Sequence, residues 1–337
     1  HLGVPTTRAR AAVTPGEDVA REQLLPGGII TRLATSFVRV GTFELFASRG
    51  NLEAVTRLAD YVIKHNYPAC LDAPNPYLAL LEAIIDRQAA LIAQWMQLGF
   101  IHGVMNTDNM SIAGETIDYG PCAFMDHYAH DRVYSSIDRH GRYAYNNQPS
   151  IGLWNLTRLA ETLVPLLADS TDAGIEAAKA VLHAYKQRYE DYWLDGMRQK
   201  LGLMTPHDED RALIEALLDC MAANRADFTL TFYYLSQLAG ESTDQENDIH
   251  DLFDDPGQFD GWAKQWRARL HRDNSDAATR QSHMCAVNPL YIPRNHQIEA
   301  AIRAAEDNAD FSTFHELHAV LQNPFEQQPH KDAYALP

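Results

Sequence analysis

Apolar positions recur at helical spacing from Asn51 onward. Leu52, Val55, Leu58, Ala59 and Val62 fall on one stripe and predict an amphipathic helix. The run from Tyr77 to Phe100 is denser. Leu78, Leu80, Leu81, Ile84, Ile85, Ala89, Leu91, Ile92 and Trp95 cover much of its circumference, which predicts a central buried helix. After Pro149 the same period predicts helices near 153–167, 172–195, 208–222, 225–238, 258–272, 296–307 and 311–322. Residues 1–50 are the least helical. Val4 to Arg8 and Ala11 to Thr14 read as short extended pieces, and Pro26-Gly-Gly28 turns into a strand-prone run beginning at Ile29. Met110-Ser-Ile-Ala-Gly-Glu-Thr-Ile117 reads as two short strands turning at Ala113-Gly114, which would bring Asp118 back beside Asn109. Residues 121–150 are loop-rich, and a loop of that length inside a compact domain is usually functional. The acidic tract Glu241 to Asp255 reads as a solvated loop, and no internal repeat is present. The expected fold is mainly α with a small β element.

Composition narrows the class. The 337 residues are 46% hydrophobic, which fits a globular chain with a sizeable core and not a disordered one. The formal net charge of −17 disfavours a sequence-independent grip on nucleic acid, although a few arginines suffice for a nucleotide. No apolar run reaches membrane-spanning length. Cys70, Cys122, Cys220 and Cys285 are far apart and form no CxxC, so a disulfide framework or a cysteine zinc site is not expected. A reducing, cytoplasmic compartment fits best.

The chemistry concentrates in His102-Gly-Val-Met-Asn-Thr-Asp-Asn-Met110 and Thr116-Ile-Asp-Tyr-Gly120. Asp108, Asn109 and Asp118 are two carboxylates and a carboxamide around one short segment. Phosphate-transfer chemistry needs one oxygen acceptor to orient a nucleophile and hard oxygen ligands for a divalent cation. An isolated Asx-rich loop is most often only a turn that bonds its own backbone. A second Asp before Tyr-Gly, and a His opening the loop after a buried helix, give the order of a protein-kinase site in compressed form. Arg32 and Arg39, seven residues apart, are either phosphate ligands or surface ion-pair partners of Glu22 or Glu44. His102 is expected to brace the loop more than to act as an acid or base. His127-Tyr-Ala-His130 is a weak metal pattern, and His315-Glu-Leu-His318 is one residue short of the zinc-protease spacing. Cys122 lacks a supporting base and reads as a buried thiol.

These residues resemble the selenoprotein O (YdiU) family. The matching pieces include Pro5-Thr-Thr-Arg8, Thr31 to Glu44, Asn75-Pro-Tyr77, Phe100 to Ser111, Thr116 to Pro121, Gly141 to Tyr145, Gln148-Pro149, Trp154-Asn-Leu156, Asn288-Pro289 and Pro293-Arg-Asn295. The resemblance implies a protein-kinase-like fold, here a C-lobe with additional C-terminal helices. It implies transfer of AMP from ATP to Ser, Thr or Tyr hydroxyls of proteins, with Mg²⁺ or Mn²⁺, or of UMP from UTP in some bacterial relatives. By the same resemblance Asp108 is the proton acceptor, Asn109 and Asp118 hold the metal, and Arg32, Arg39 and Asp118 contact the nucleotide. It divides the chain into 1–50, a remnant of the N-lobe and hinge, and 51–337, the helical C-lobe with the catalytic loop at 102–121. The family's glycine-rich segment and phosphate-binding lysine find no counterpart, nor does its C-terminal tail. The chain is therefore expected to be a bacterial fragment, weak or inactive alone. A conventional kinase and a pseudokinase-like binding module are the competing expectations.

Overall fold

A computed structural model describes residues 1–20, 23–240, 246–273 and 275–337. Its centre is the helix that the apolar run predicted. Here α1 is Val40–Ala47, α2 Leu52–Asn66, α3 Pro76–Gln97, α4 Gln148–Leu167 and α5 Thr171–Lys200. Asn75 caps α3 by accepting from the backbone N–H groups of Tyr77 and Leu78, and Pro76 presets its first turn. Leu80, Leu81, Ile84, Ile85, Ala89 and Ile92 are fully buried, because α4 and α5 lie along α3 on two sides. The three helices meet at Gly152 of α4, where a Cβ would stand 2.3 Å from Ile92 Cδ1 and 2.6 Å from Tyr185 Oη. A side chain there would force the helices apart.

The second half adds α6 (Asp210–Ala223), α7 (Phe228–Leu238), α8 (Glu246–His250), α9 (Pro256–Leu270), α10 (Ala277–Val287), α11 (Asn295–Asn308) and α12 (Ser312–Val320). Two buried ion networks staple these helices. Asp210 is bonded by Arg269 Nε at 2.7 Å and Arg198 Nε at 2.8 Å, joining α5, α6 and α9. Arg294, fully buried at the start of α11, donates to Asp227 Oδ1 (3.1 Å) and Oδ2 (2.5 Å), to Asp126 Oδ1 (2.7 Å) and to Ala335 O (2.7 Å). Buried charges are tolerated when paired in this way.

Strand content is small and lies at the edges. β1 (Arg8–Val13) pairs antiparallel with β4 (Ile29–Leu33), and β2 (Asp18–Ala20) with β3 (Leu24–Pro26). Together they form an outlying ribbon whose strand residues are all exposed, Val13, Leu24, Ile29 and Ile30 among them. β5 (Phe100–Ile101) pairs with β6 (Ala123–Phe124) and encloses the segment rich in Asx residues.

Four expectations are corrected. Residues 40–47 of the N-terminal region are helical, because Val40 and Phe43 bury themselves against α2 and α4. The 110–117 hairpin is reduced to a single bridge, Met110 with Thr116, since the neighbouring backbone groups pair elsewhere. Within the acidic tract residues 246–250 are helical, while 241–245 lie outside the described residues. Helix α10 was not anticipated, because its Arg, Gln, Ser and His positions blur the apolar period.

Lys200, at the end of α5, is buried with Nζ 4.2 Å from the Phe232 ring centroid and 2.8 Å from Asn288 Oδ1. Burial pushes its pKa down to about 7. The unfolded chain therefore holds a proton that the native chain has lost between about pH 7 and the ordinary lysine value, and this group adds stability as pH rises through that window. Lys200→Met removes the titration. The Tm difference between variant and wild type is expected to move in the wild type's favour from pH 7 to pH 10. A difference that stays constant across that range would refute the assignment.

Candidate functional site

The segment between β5 and β6 leaves the core at His102 and returns at Ala123. Hydrogen-bonding side chains buried on α3 and α4 hold it. Gln148 Oε1 accepts from His102 N–H (2.9 Å) while its amide donates to Phe100 O (2.9 Å). Asn155 Nδ2 donates to Met105 O (2.9 Å), Gln88 Nε2 to Ser111 O (2.6 Å), and Trp95 Nε1 to Thr116 Oγ1 (2.9 Å). Tyr143 adds a bond from its hydroxyl to Asn106 Oδ1 (2.6 Å). Buried hydrogen bonds of this kind fix a geometry as well as a fold, and Gln88 Oε1 and Asn155 Oδ1 are left without a hydrogen-bond partner among the described residues. Gln88 was not named from sequence; Trp95 was read only as part of the apolar run, and Tyr143, Gln148 and Asn155 only as parts of family-like pieces, without this bracing role. The available signal was an amide inside an apolar helical stripe, at Gln88 and Asn155.

His102 is 1% exposed, and its Nε2 lies 2.8 Å from Ile117 O. Burial pushes its pKa below the ordinary histidine value, so the ring is neutral and ties the residue before Asp118 to the start of the loop. Asp118 itself has φ +65° and an exposed side chain. A non-glycine residue costs about 1 kcal/mol there, and such positions cluster at functional sites.

Asp108 and Asn109 sit in a 3₁₀ turn, Thr107–Asn109. Asn109 Nδ2 donates to Val104 O at 3.1 Å, which leaves the carbonyl oxygen Oδ1 as the atom for a cation. The Met110–Thr116 bridge joins the two arms that carry Asn109 and Asp118. Asp108 is exposed and shares an open depression with Arg39, Gly41, Thr42 and Glu44 from the start of α1. Arg39 Nη1 donates to Asp108 O at 3.2 Å. The chain around Arg39 is itself tied to the loop, Val40 N–H to Met110 O (3.0 Å) and Ile112 N–H to Val38 O (3.1 Å).

Arg32 lies apart, on strand β4 of the exposed ribbon, with its guanidinium 5.8 Å from the Phe37 ring centroid. Among the described residues neither arginine pairs with Glu44, and Glu22 lies outside the described residues. The ribbon's roots do meet the site. Thr7 N–H donates to Thr116 O (3.0 Å), Thr116 N–H donates to Pro5 O (2.9 Å), and the Thr6 hydroxyl bonds that of Tyr119.

The weaker candidates separate from this cluster. Cys122 is half-buried, and burial pushes its thiol up to about 11, so it is protonated at neutral pH. His127 is bridged to Asp227. Among the described residues no three His, Cys, Asp or Glu side chains converge as a metal cluster, His127 and His130 included. His315 and His318 lie exposed on α12. Cys70, Cys122, Cys220 and Cys285 are all unpaired. No described helix is long and apolar enough to cross a membrane.

The donor set suits a hard divalent cation. Asn109 and Asp118 offer two oxygen ligands, and a magnesium-type site completes its shell with phosphate oxygens and water. The family model of protein adenylyltransferase SelO matches residues 1–322. The chain is 57% identical over 336 residues to the protein nucleotidyltransferase YdiU of Rhodopseudomonas palustris (strain BisB5), covering all of this chain and 68% of that protein. It is 55% identical over the same length to the protein of that name from Rhizobium leguminosarum bv. trifolii (strain WSM2304), covering 67% of it.

Proposed function

The chain belongs to the SelO (YdiU) family of protein nucleotidyltransferases, and from that premise we propose that it transfers AMP from ATP to Ser, Thr or Tyr hydroxyls of other proteins. In this reading Asp108 receives the proton of the acceptor hydroxyl. The hydroxyl oxygen bonds to the α-phosphorus, the bond from that phosphorus to the bridging oxygen breaks, and pyrophosphate leaves. Asn109 Oδ1 and the Asp118 carboxylate would hold Mg²⁺ or Mn²⁺, which supplies charge neutralisation at the phosphates. Arg39, already beside Asp108, and Arg32, carried in by the ribbon, would bind phosphate oxygens in a forked manner. Residues 1–50 serve the nucleotide and 51–337 form the kinase-like helical body. Four unpaired cysteines are in keeping with a reducing compartment.

The observation that most supports this reading is the pairing across the 110–116 turn. It presents Asp108 and Asn109 on one arm and a strained Asp118 on the other, with the arms joined at Met110 and Thr116. Any phosphoryl or nucleotidyl transfer uses such a set, so the position of attack is the point to test. ATP labelled separately at the α- and γ-phosphates is supplied to the full-length protein with Mg²⁺ or Mn²⁺ and acceptor proteins, with α-labelled UTP in parallel. Label is expected on protein from α-labelled ATP only. Protein labelled from the γ-position alone would replace the reading with a kinase, and label from UTP in preference would change the nucleotide.

A further inference from the structure

Helix α1 begins where Asp108 ends. Its N-cap is Arg39, and Val40, Gly41 and Thr42 form its first turn. Nothing in the backbone of that turn calls for glycine: Gly41 is helical, and alanine there ordinarily favours a helix. The neighbourhood supplies the reason. A Cβ on Gly41 would stand 2.2 Å from Asp108 Oδ1, 3.2 Å from its Cγ and 3.3 Å from its backbone nitrogen. The Asp108 carboxylate therefore rests against the bare Cα of Gly41. The contact is between fixed parts, because Val40 N–H to Met110 O and Arg39 Nη1 to Asp108 O hold α1 and the 3₁₀ turn together from both sides.

We propose that Gly41 is a positioning residue: the Cβ-free first turn of α1 is the seat that orients the Asp108 carboxylate toward the acceptor hydroxyl. The proposal rests on the reading of Asp108 as proton acceptor. The closest encroached atom is the free end of the Asp108 side chain, so a methyl group at position 41 turns the carboxylate away without opening the fold. The backbone contact at 3.3 Å is tight but within reach of a small shift.

The test uses the full-length protein. Gly41→Ala is expected to lower kcat by roughly tenfold to a hundredfold, the scale on which misplacing a catalytic group acts, while KM for the nucleotide stays within about twofold. Turnover within about twofold of wild type would overturn the proposal and leave the transferase reading standing. A second measurement does not need activity. Gly41→Ala is made in the wild-type and Asp108→Ala backgrounds, and thermal unfolding is followed in all four proteins. The methyl group is expected to raise Tm more where the carboxylate is gone. Equal shifts in both backgrounds would refute the seat, whether or not the protein transfers anything. If Gly41→Ala fails to fold with Asp108 present, folding restored by Asp108→Ala supports the seat, and failure in both backgrounds overturns it.

Discussion

Asp108→Asn is expected to lower turnover by roughly 10²- to 10⁴-fold, the usual contribution of a positioned general base. The substitution is chosen for shape. A carboxamide fits the space against Gly41, where a Cβ would lie 2.2 Å from Asp108 Oδ1, and it still accepts a hydrogen bond. It does not take up a proton at neutral pH. Arg39 donates to the Asp108 backbone carbonyl and not to its carboxylate, so that contact survives the change. Asn109 keeps its bond to Val104 O as well. Nucleotide affinity, read by calorimetry with ATP and Mg²⁺, should therefore stay near the wild-type value while transfer collapses. Turnover retained within tenfold would show that the proton leaves by another route, and Asp108 would lose its assigned role.

The second large effect is on stability. Arg294→Met removes a buried cation shared by Asp227 and Asp126. Burial already raises the Asp227 carboxyl above its ordinary value, and Arg294 opposes that rise. Breaking a buried pair by deleting one partner typically costs about 3–5 kcal/mol, because the other charge stays uncompensated. Asp227 also caps α7 through Leu230 N–H at 2.8 Å, so the damage would reach that helix. Without the guanidinium the Asp227 pKa climbs further in the folded state than in the unfolded chain. Such a group loses stability as pH rises, so the variant's deficit should be smaller at pH 5 than at pH 8. Denaturant unfolding at the two pH values checks both magnitude and sign. Adding Asp227→Asn should recover part of the loss. A deficit below about 1 kcal/mol would mean that water or rearrangement already compensates the acids.

Much of the helical body was legible because its signal is local. Asn51 before Leu52 and Asn75 before Pro76 mark helix starts, and the apolar stripes of α2 and α3 persist over several turns. The short site segment was legible as a motif, since Asp108, Asn109 and Asp118 lie within a few residues of one another. What sequence missed is decided over long distances along the chain. The 110–117 segment alternates like a hairpin, yet the chain about it bonds to Pro5, Thr7, Val38 and Val40. Residues 38–47 carry β-branched side chains and still include a helix, because burial against α2 and α4 outweighs propensity. Gly41 had no role of its own in the sequence, only a place within the Thr31 to Glu44 piece, and the position of Asp108 gives it a purpose.

The outlying ribbon has one more consequence. It departs at Thr7, bonded to Thr116, and returns at Val38, bonded to Ile112. The excursion is thus a closed ring whose two feet stand on the same turn. Adding or removing residues at the tip, between Val13 and Ile29, changes the closure entropy of that ring only logarithmically. The tip is free to vary in length, and the feet are not. A pull on the ribbon is delivered to the turn between Met110 and Thr116, next to Asn109 and two residues before Asp118. The ribbon that carries Arg32 is in this sense a handle on the gap between Asn109 and Asp118.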